Sequence, residues 1–349
     1  MSKAVEADLI IGVDTHLDTH TAALCDARGR TVSQLQVAAI SDGYARLLEW
    51  AEKAAAGRPV AWAIEGTRHY GLGLARYLAG NGHRVAEIDA TRHVGKRRAG
   101  KSDPIDAVRA ARELLARPHP AQMRADGERE ILRLLMLDRD NAVASAKTAR
   151  TALASVLVTA PADLRDQLRD IPAERRYKTC AQLSCPPGAG RLARVVYQTL
   201  IRLGERAVAL TQLADHLEAQ IAAVVEEMAP GLVEAEYGLG ALTAAQILLS
   251  WSHAGRIRSE AAFGMLSGTA PVLVSSGRTD RHRLNRLGDR QLNRALHIIA
   301  VSRMRSHPQT RDYVQRRRAE GKTDREIRRC IKRYLARHLF RTLNRLDTT

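Results

Sequence analysis

Four acidic residues carry the strongest chemical signal in this sequence. Asp14 directly follows the apolar run Leu9-Ile10-Ile11-Gly12-Val13, and Glu65 directly follows Val60-Ala61-Trp62-Ala63-Ile64. Short, wholly apolar runs of this kind read as buried strands, so both carboxylates stand where neighbouring strands could end together. Asp103 and Asp106 fall in Lys101-Ser102-Asp103-Pro104-Ile105-Asp106. Pro104 suits the first position of a helix and Asp103 its cap, and residues at i and i+3 share one helix face, about 5–6 Å apart at Cβ. A cluster of carboxylate oxygens suits hard divalent cations such as Mg²⁺, and two such ions roughly 4 Å apart clamp the attacking and leaving oxygens of a phosphodiester. A structural account stays open beside this one, with Asp103 and Asp106 meeting the dipole of their helix and Glu65 a loop acid. His16, His20, His69 and His93 lie near the acid motifs and are candidates for a ligand or general base, His16 foremost because it stands two residues beyond Asp14.

These acids need elements to hold them, and the first hundred residues supply an alternation of short apolar runs and helical patterns. Leu9–Val13 and Val60–Ile64 predict buried strands, Thr21–Cys25 and Thr31–Val37 a hairpin around Ala27-Arg28-Gly29, and residues 84–88 a further strand. Tyr44, Leu47, Leu48 and Ala51 mark one helix, Gly71–Ala79 a second, and a third starts near Asp103. Three strands followed by alternating helix and strand is an α/β layout with a mixed sheet. From Glu128 to Pro230 the pattern becomes helical, with long amphipathic stretches over Glu128–Val158 and Val195–Met228 that predict a helical hairpin or coiled coil. Leu183-Ser184-Cys185-Pro186-Pro187-Gly188-Ala189-Gly190 between them is the clearest breaker in the chain. From Leu232 onward the pattern reads as helical again. There Thr323 and Glu326 form a capping box ahead of Ile327, Ile331, Leu335, Leu339 and Leu343 on one helix face. The expected domains are 1–125, 126–230 and 231–349.

Composition narrows the class of partner. Among 349 residues, 55 Lys and Arg against 38 Asp and Glu give a net charge of +17, which favours a polyanion. The excess is concentrated, since Ser276–Thr349 holds 21 basic and 7 acidic residues, +14 of the total. No apolar run approaches the roughly 20 residues of a bilayer crossing, so no membrane partner is expected. Leu9–Val13 sits behind Glu6 and Asp8 without a basic leader, and a cytoplasmic location is expected. Cys25, Cys180, Cys185 and Cys330 show neither a disulfide framework nor paired zinc-ligand spacing. Aromatic residues are 4% of the chain, which disfavours a stacking platform for single strands. Lys96-Arg97-Arg98 and Lys101 would instead guide a backbone toward the acids, and Arg278, Arg281, Arg283, Arg286, Arg290 and Arg294 could line one side of a helix or loop against phosphates, or form a solvated face. Arg316-Arg317-Arg318 and Arg328-Arg329 suit general backbone contacts.

The order strand-Asp, strand-Glu, helix-Asp-x-x-Asp resembles the RuvC-like branch of the ribonuclease H fold. More closely, Ile11-Gly12-Val13-Asp14-Thr15-His16, Ile64-Glu65-Gly66-Thr67 and Lys101-Ser102-Asp103-Pro104-Ile105-Asp106-Ala107 resemble the DEDD transposases of bacterial insertion sequences. The resemblance implies an α/β RuvC-like N-terminal domain, then a long helical hairpin or coiled coil, then a mostly α-helical C-terminal domain bearing a catalytic serine. It extends to Gly238-Leu239-Gly240-Ala241-Leu242-Thr243-Ala244-Ala245, similar to the family's Gly-x-Gly-x-x-Thr-Ala turn and to a helix-hairpin-helix, with Tyr237 where proline is expected. Gly238, Gly240 and Thr243 would then grip a phosphate through backbone N–H groups at a helix start. Phe263–Pro271 and Val274-Ser275-Ser276-Gly277-Arg278 resemble the transposase core, which carries the nucleophile's role onto Ser276, with Ser275 adjacent.

As the resemblance implies it, Asp14, Glu65, Asp103 and Asp106 hold Mg²⁺ and Ser276 attacks DNA, producing strand exchange through a serine phosphodiester. It also implies donor and target DNA as partners, a noncoding bridge RNA that supplies sequence choice by pairing, and a homo-oligomer, dimer or tetramer, that could share a composite site. Two rivals remain at this level. One is a RuvC-like structure-specific endonuclease that activates water; the other is a non-catalytic nucleic-acid binding protein whose acids are caps.

Overall fold

The computed structural model describes residues 7–88, 103–117, 119–276, 279–285 and 288–346, with residues 273–284 described by their backbone. The chain divides into two compact units, one of residues 1–124 with the short segment 255–258, the other of residues 125–254 and 259–349.

The first unit contains β1 (Leu9–Thr15), β2 (Thr19–Asp26), β3 (Thr31–Ala38), α1 (Ser41–Ala55), β4 (Val60–Glu65), α2 (Leu72–Gly80), β5 (Val85–Ile88), α3 (Asp103–Ala116) and β6 (Ala121–Gln122). Its sheet runs β3-β2-β1-β4-β5-β6. The three central strands are parallel and the rest antiparallel to their neighbours. This is the mixed sheet expected from the sequence, extended by the short β6.

Side-chain alternation gives the sheet two different faces. Leu9, Ile11, Val13, Trp62 and Ile64 form one core with α1 and α2. On the other face Ile10, Ala23, Ala61, Ala63 and Ala86 meet Ala107, Ala110, Ala111 and Leu114 of α3. Small residues on both sides let α3 lie unusually close to the sheet. At Gly12 the approach reaches its limit, because a Cβ there would stand 2.0 Å from the Ala107 carbonyl oxygen and 2.4 Å from the Ala111 nitrogen.

A buried ion cluster ties the segment 255–258 to this unit. Glu87, 4% exposed, accepts from Arg68 Nε at 2.7 Å and from Arg256 Nη2 at 3.1 Å, with Arg124 Nε 3.9 Å away. Burial pushes the Glu87 carboxyl upward, but Arg256, Arg68 and Arg124 together outweigh it and hold the group below the usual glutamate range.

The second unit holds α4 (Glu128–Val158), α5 (Ala162–Arg169), α6 (Ala173–Ala181), α7 (Arg191–Met228), α8 (Leu232–Ala235), α9 (Ala241–Trp251), α10 (Glu260–Leu266), β7 (Pro271–Ser276), β8 (Thr279–Leu284), α11 (Arg290–Ser306), α12 (Pro308–Ala319) and α13 (Asp324–Leu346). The paired helices α4 and α7, 31 and 38 residues long, are the expected helical hairpin. Leu153, Leu157, Leu164, Leu168, Tyr177 and Leu200 form a core between them and the intervening α5 and α6. Arg129, buried at the start of α4, donates through Nη2 to the Leu249 carbonyl of α9 at 3.1 Å, satisfying one of the orphan acceptors at that helix end.

The C-terminal stretch departs from the helical expectation at one place. β7 and β8 form an antiparallel hairpin in which Ser276 pairs with Thr279 and Val274 with Arg281. Arg281 and Arg283 therefore lie on a strand, while Arg290 and Arg294 lie on α11. The irregular arginine spacing concealed a period-two segment, Arg281-His282-Arg283-Leu284, opposite the apolar run Val272-Leu273-Val274. The terminal helix α13 starts with the capping box, Thr323 N donating to Glu326 Oε2 at 2.9 Å, and buries Ile327, Ile331, Leu335, Leu339 and Leu343.

Replacing Glu87 with Ala would leave Arg256 buried without its carboxylate, and a loss of about 3–5 kcal/mol is expected by chemical denaturation. Because Glu87 is depressed in the folded state, its contribution is complete above the ordinary glutamate value of 4.5 and is lost as the pH falls through the lower folded value. The difference in stability between the wild type and Glu87→Ala should therefore persist at neutral pH and shrink in acid.

Candidate active site

Val13 of β1 pairs with Ile64 of β4 in the parallel ladder, so the next residues, Asp14 and Glu65, leave the sheet side by side. Ala61 and Ala63 face α3, and the alternation that places them there carries Glu65 onto the same face. Ile10 and Gly12 do the same for Asp14. The α3 helix begins at this end of the sheet, with Asp103 and Asp106 in its first turn. Thr15 Oγ1 donates to the Glu65 carbonyl oxygen at 2.8 Å, stitching the two strand ends together.

Asp14, His16 and Asp103 converge most tightly, with one ligand atom from each lying within 4.8 Å of the others. His16 Nε2 stands 3.2 Å from Asp14 Oδ2 and 3.4 Å from Asp103 Oδ1. Burial pushes the Asp14 carboxyl above its usual range; His16 pulls against that, and the charges of Asp106 and Asp103 push it further up. Asp106 is thus near enough to act on Asp14, while its own Oδ1 accepts from Arg109 Nη1 at 2.6 Å. Glu65 is half-buried beside this group and does not belong to the tight trio.

The donor chemistry fits a divalent cation. Carboxylates gathered at one buried end of a sheet repel one another and are stabilised by a local positive charge. The buried His16 Nε2 makes no well-formed hydrogen bond although two carboxylate oxygens lie within 3.4 Å. Two carboxylates and an imidazole are a ligand set that Mn²⁺ shares with Mg²⁺, the imidazole favouring the softer ion. Of the candidate histidines, His16 joins the acids. His20 is fully buried and stacks on Tyr44, ring centroids 5.6 Å apart. His69 Nδ1 and Nε2 have no place in the trio, and His93 lies outside the described residues, as do Lys96, Arg97, Arg98 and Lys101.

In the second unit, Ser275 and Ser276 are the last residues of β7. Gly277, Arg278 and Arg286 lie outside the described residues, and Arg281 and Arg283 are placed on β8 by their backbone. The foot of this hairpin is tightly held. Asn285 Nδ2 donates to the Met265 carbonyl at 3.0 Å, Asn293 Nδ2 to the Ser267 carbonyl at 2.6 Å, and Asp289 N to the Leu266 carbonyl at 2.6 Å. A Cβ at Gly288 would stand 2.6 Å from both the Gly268 nitrogen and the Leu266 oxygen.

The glycine turn before α9 is also fixed. Gly238 has φ +79°, and the Gly240 N–H donates to Thr243 Oγ1 at 3.0 Å, so that N–H is already committed within the turn. Glu236 anchors it by accepting from Arg303 Nη2 at 2.8 Å and by pairing with His338, while Arg303 Nε donates to the Tyr237 carbonyl at 2.8 Å. The preceding helix, α8, has only four residues.

An acid cluster at the strand ends of a six-stranded mixed sheet, in a unit followed by a mostly helical one, is consistent with a ribonuclease H-like domain. Comparison with known families gives the particular group. Residues 11–160 match the DEDD transposase model of the IS110 group, and residues 232–315 match the transposase model of the IS116/IS110/IS902 family. Together they cover about two thirds of the chain, which belongs to the IS110 family of DEDD transposases. A relative from Streptomyces coelicolor, described as the insertion element IS110 uncharacterized 43.6 kDa protein, is 36% identical over 141 residues, 39% of this chain and 33% of that protein. The chain thus spans about a third of the relative's length. No helix among the described residues is long and apolar enough to cross a membrane.

Sequence reasoning noted His16 without its approach to both acids, and it passed over Gly12 and Arg109. The signal for Gly12 was present, a glycine facing the Ala-rich helix Ala107–Ala111. Gly12→Ala should cost about 1–3 kcal/mol by overpacking, read by thermal unfolding. Adding MnCl₂ to the wild type should raise the unfolding temperature, the stabilisation reaching about 2.7 kcal/mol at a hundredfold excess over Kd. Asp14→Asn and Asp103→Asn should abolish that rise; a wild type indifferent to manganese would refute the metal assignment.

Proposed function

We propose that this protein is an insertion-sequence transposase that cuts and rejoins DNA through Ser276. The convergence of Asp14, His16 and Asp103 at the end of β1, in a chain of the IS110 family, is the observation that carries the reading. Asp14, Glu65, Asp103 and Asp106 would hold Mg²⁺, with His16 beside them. When bound, the ion supplies charge stabilisation for the oxygens around the reacting phosphorus. Arg109 holds the Asp106 carboxylate and so fixes its orientation toward Asp14.

In the first step the Ser276 oxygen bonds to phosphorus, its proton passes to a base, and the bond from phosphorus to a sugar oxygen breaks, that oxygen taking up a proton. The phosphoserine diester conserves the bond. In the second step a hydroxyl of another strand end attacks the same phosphorus and frees the serine, so no external energy source is required. An alkoxide-equivalent nucleophile placed at a hairpin tip suits an approach to a strand from outside the groove.

Donor and target DNA would be gripped largely through phosphates, by the glycine turn at Gly238 and by Lys101, Arg278, Arg281, Arg283 and Arg286. The excess of +14 over Ser276–Thr349 supports that role. Sequence choice would come from a bridge RNA. The 126–230 helices would join protomers in a dimer or tetramer, allowing the acids of one protomer to work with the serine of another in the cytoplasm.

The intermediate separates this reading from hydrolysis. Purified protein incubated with its co-purified RNA and DNA ends should yield a covalent protein–DNA adduct on denaturing gels. Ser276→Ala should remove both the adduct and strand exchange. Continued cutting by Ser276→Ala would point to water as the nucleophile and Ser276 as structural, and unchanged processing by Asp14→Asn would count against the acid centre.

A further inference from the structure

The foot of the β7–β8 hairpin opens into a cavity of about 360 Å³ in the second unit, bounded by Gly268–Pro271 on one side and by α13 residues Arg329, Lys332, Arg333 and Arg337 on the other. No carboxylate lines it. Arg337 is engaged outward, donating to Glu260 Oε2 at 2.8 Å. Lys332 and Arg333 make no ion pair among the described residues, and Arg329 faces Glu326 only through space.

Lys332 is the unusual member. It is 9% exposed, and its Nζ donates to Asn293 Oδ1 at 2.6 Å. One neutral acceptor leaves two of three ammonium donors without a partner among the described residues, and a buried ammonium lacking a counter-charge is costly. Burial, followed by the charges of Arg328 and Arg329, pushes its pKa down, so the protein does nothing locally to favour the charge. Arg333 adds a second such group, because its Nη1 is buried without a hydrogen-bond partner and lies where a side chain at residue 264 would be, against Gly264. A cavity lined by Arg329, Lys332 and Arg333, with no carboxylate among its described lining residues, suits an anion, and phosphate oxygens are the acceptors that satisfy both an ammonium and a guanidinium.

We propose that this cavity binds a backbone phosphate of the DNA strand on which Ser276 acts, and that the phosphate positions the hairpin. This rests on the proposed transposase reading for the identity of the strand. The path for positioning is continuous: Lys332 holds Asn293, and the amide nitrogen of Asn293 holds the Ser267 carbonyl immediately before Gly268 and the start of β7. From Pro271 to Ser276 an extended strand covers about 17 Å at roughly 3.3 Å per residue. The pocket, which Pro271 lines, therefore stands about that far along the strand from the serine. A phosphate held there would fix the register between the strand and the hairpin tip without reading any base.

The test uses the full chain and fluorescein-labelled duplex DNA of mixed sequence, with anisotropy measured across a KCl series and an RNA duplex of the same sequence in parallel. Lys332→Met keeps the buried stem and removes the charge; Arg329→Gln changes an exposed partner of the same pocket and guards against a folding defect. Lys332→Met should weaken DNA binding about tenfold and reduce the slope of log K against log salt by about one, and Arg329→Gln should lower the slope similarly with an unchanged melting temperature. DNA affinity and slope equal to wild type in both variants would overturn the proposal, as would a loss confined to the RNA arm. An adduct that forms normally while Lys332→Met binds like wild type sinks the pocket alone. Absence of any wild-type adduct, with Lys332→Met still weakened on DNA, sinks the serine chemistry and leaves the pocket standing.

Discussion

Like charges can be gathered at the end of one strand only if the element bringing them lies close enough to leave no room for retreat. In this protein that closeness is set at Gly12, where the backbone of α3 occupies the space a Cβ would need. The alanines on either side, Ala61, Ala63, Ala107 and Ala111, extend the contact along the helix. Asp103 in the first turn of α3 then meets His16 within ion-pair distance, and Asp106 acts on Asp14 through space. A bulkier sheet face would hold α3 a side chain further off and dissolve the cluster. The apolar core on the opposite face, with Trp62, Ile64 and Leu74, has no such requirement and is built from large residues.

The second unit meets a related demand by different means. A two-stranded hairpin has little stability by itself, so its orientation must come from its foot. Gly288 and Gly268 let two backbone segments touch, and Asn285, Asn293 and Asp289 saturate the carbonyls there with short hydrogen bonds. Asp289 also caps α11 through Oδ1, accepting from Gln291 N and Leu292 N, while its Oδ2 accepts from Ser250 Oγ at 2.8 Å. One carboxylate thus joins α9, α11 and the hairpin foot. Locking the base of a hairpin in this way is how a rigid element positions what it carries.

What the sequence disclosed follows from the range of the forces involved. The strands ending in Asp14 and Glu65, the start of α3 at Asp103 and the long helices α4 and α7 are written in local apolar period, and local period survives folding. The capping box of Thr323 and Glu326 is equally local. Three features resisted reading because their causes lie far apart in the chain. His16 acquires its meaning from Asp103, 87 positions away; Glu87 acquires three arginines from separate segments, Arg256 among them. Strand β8 was hidden because arginines at alternate positions look like a charge run until a partner strand is known. The short α5 and α6 between the long helices have weak patterns of their own and are held by the core around Tyr177 and Leu200.

The distribution of charge supports a division of labour between the two units. A phosphate backbone approaching Asp14, Asp103 and Asp106 would meet repulsion, which in the proposed reading a bound cation would cancel. Attraction to the polyanion must therefore be generated elsewhere, and the basic excess of the C-terminal stretch is where the sequence concentrates it. Binding and chemistry are then sensitive to different variables. Under the proposed reading, affinity would follow the number of phosphates neutralised by Lys and Arg, and with it the salt concentration, whereas turnover would follow occupancy of the acid centre by a cation. The proposed protein could then hold its substrate before the acid centre is complete, so that strands would be aligned before any bond is broken.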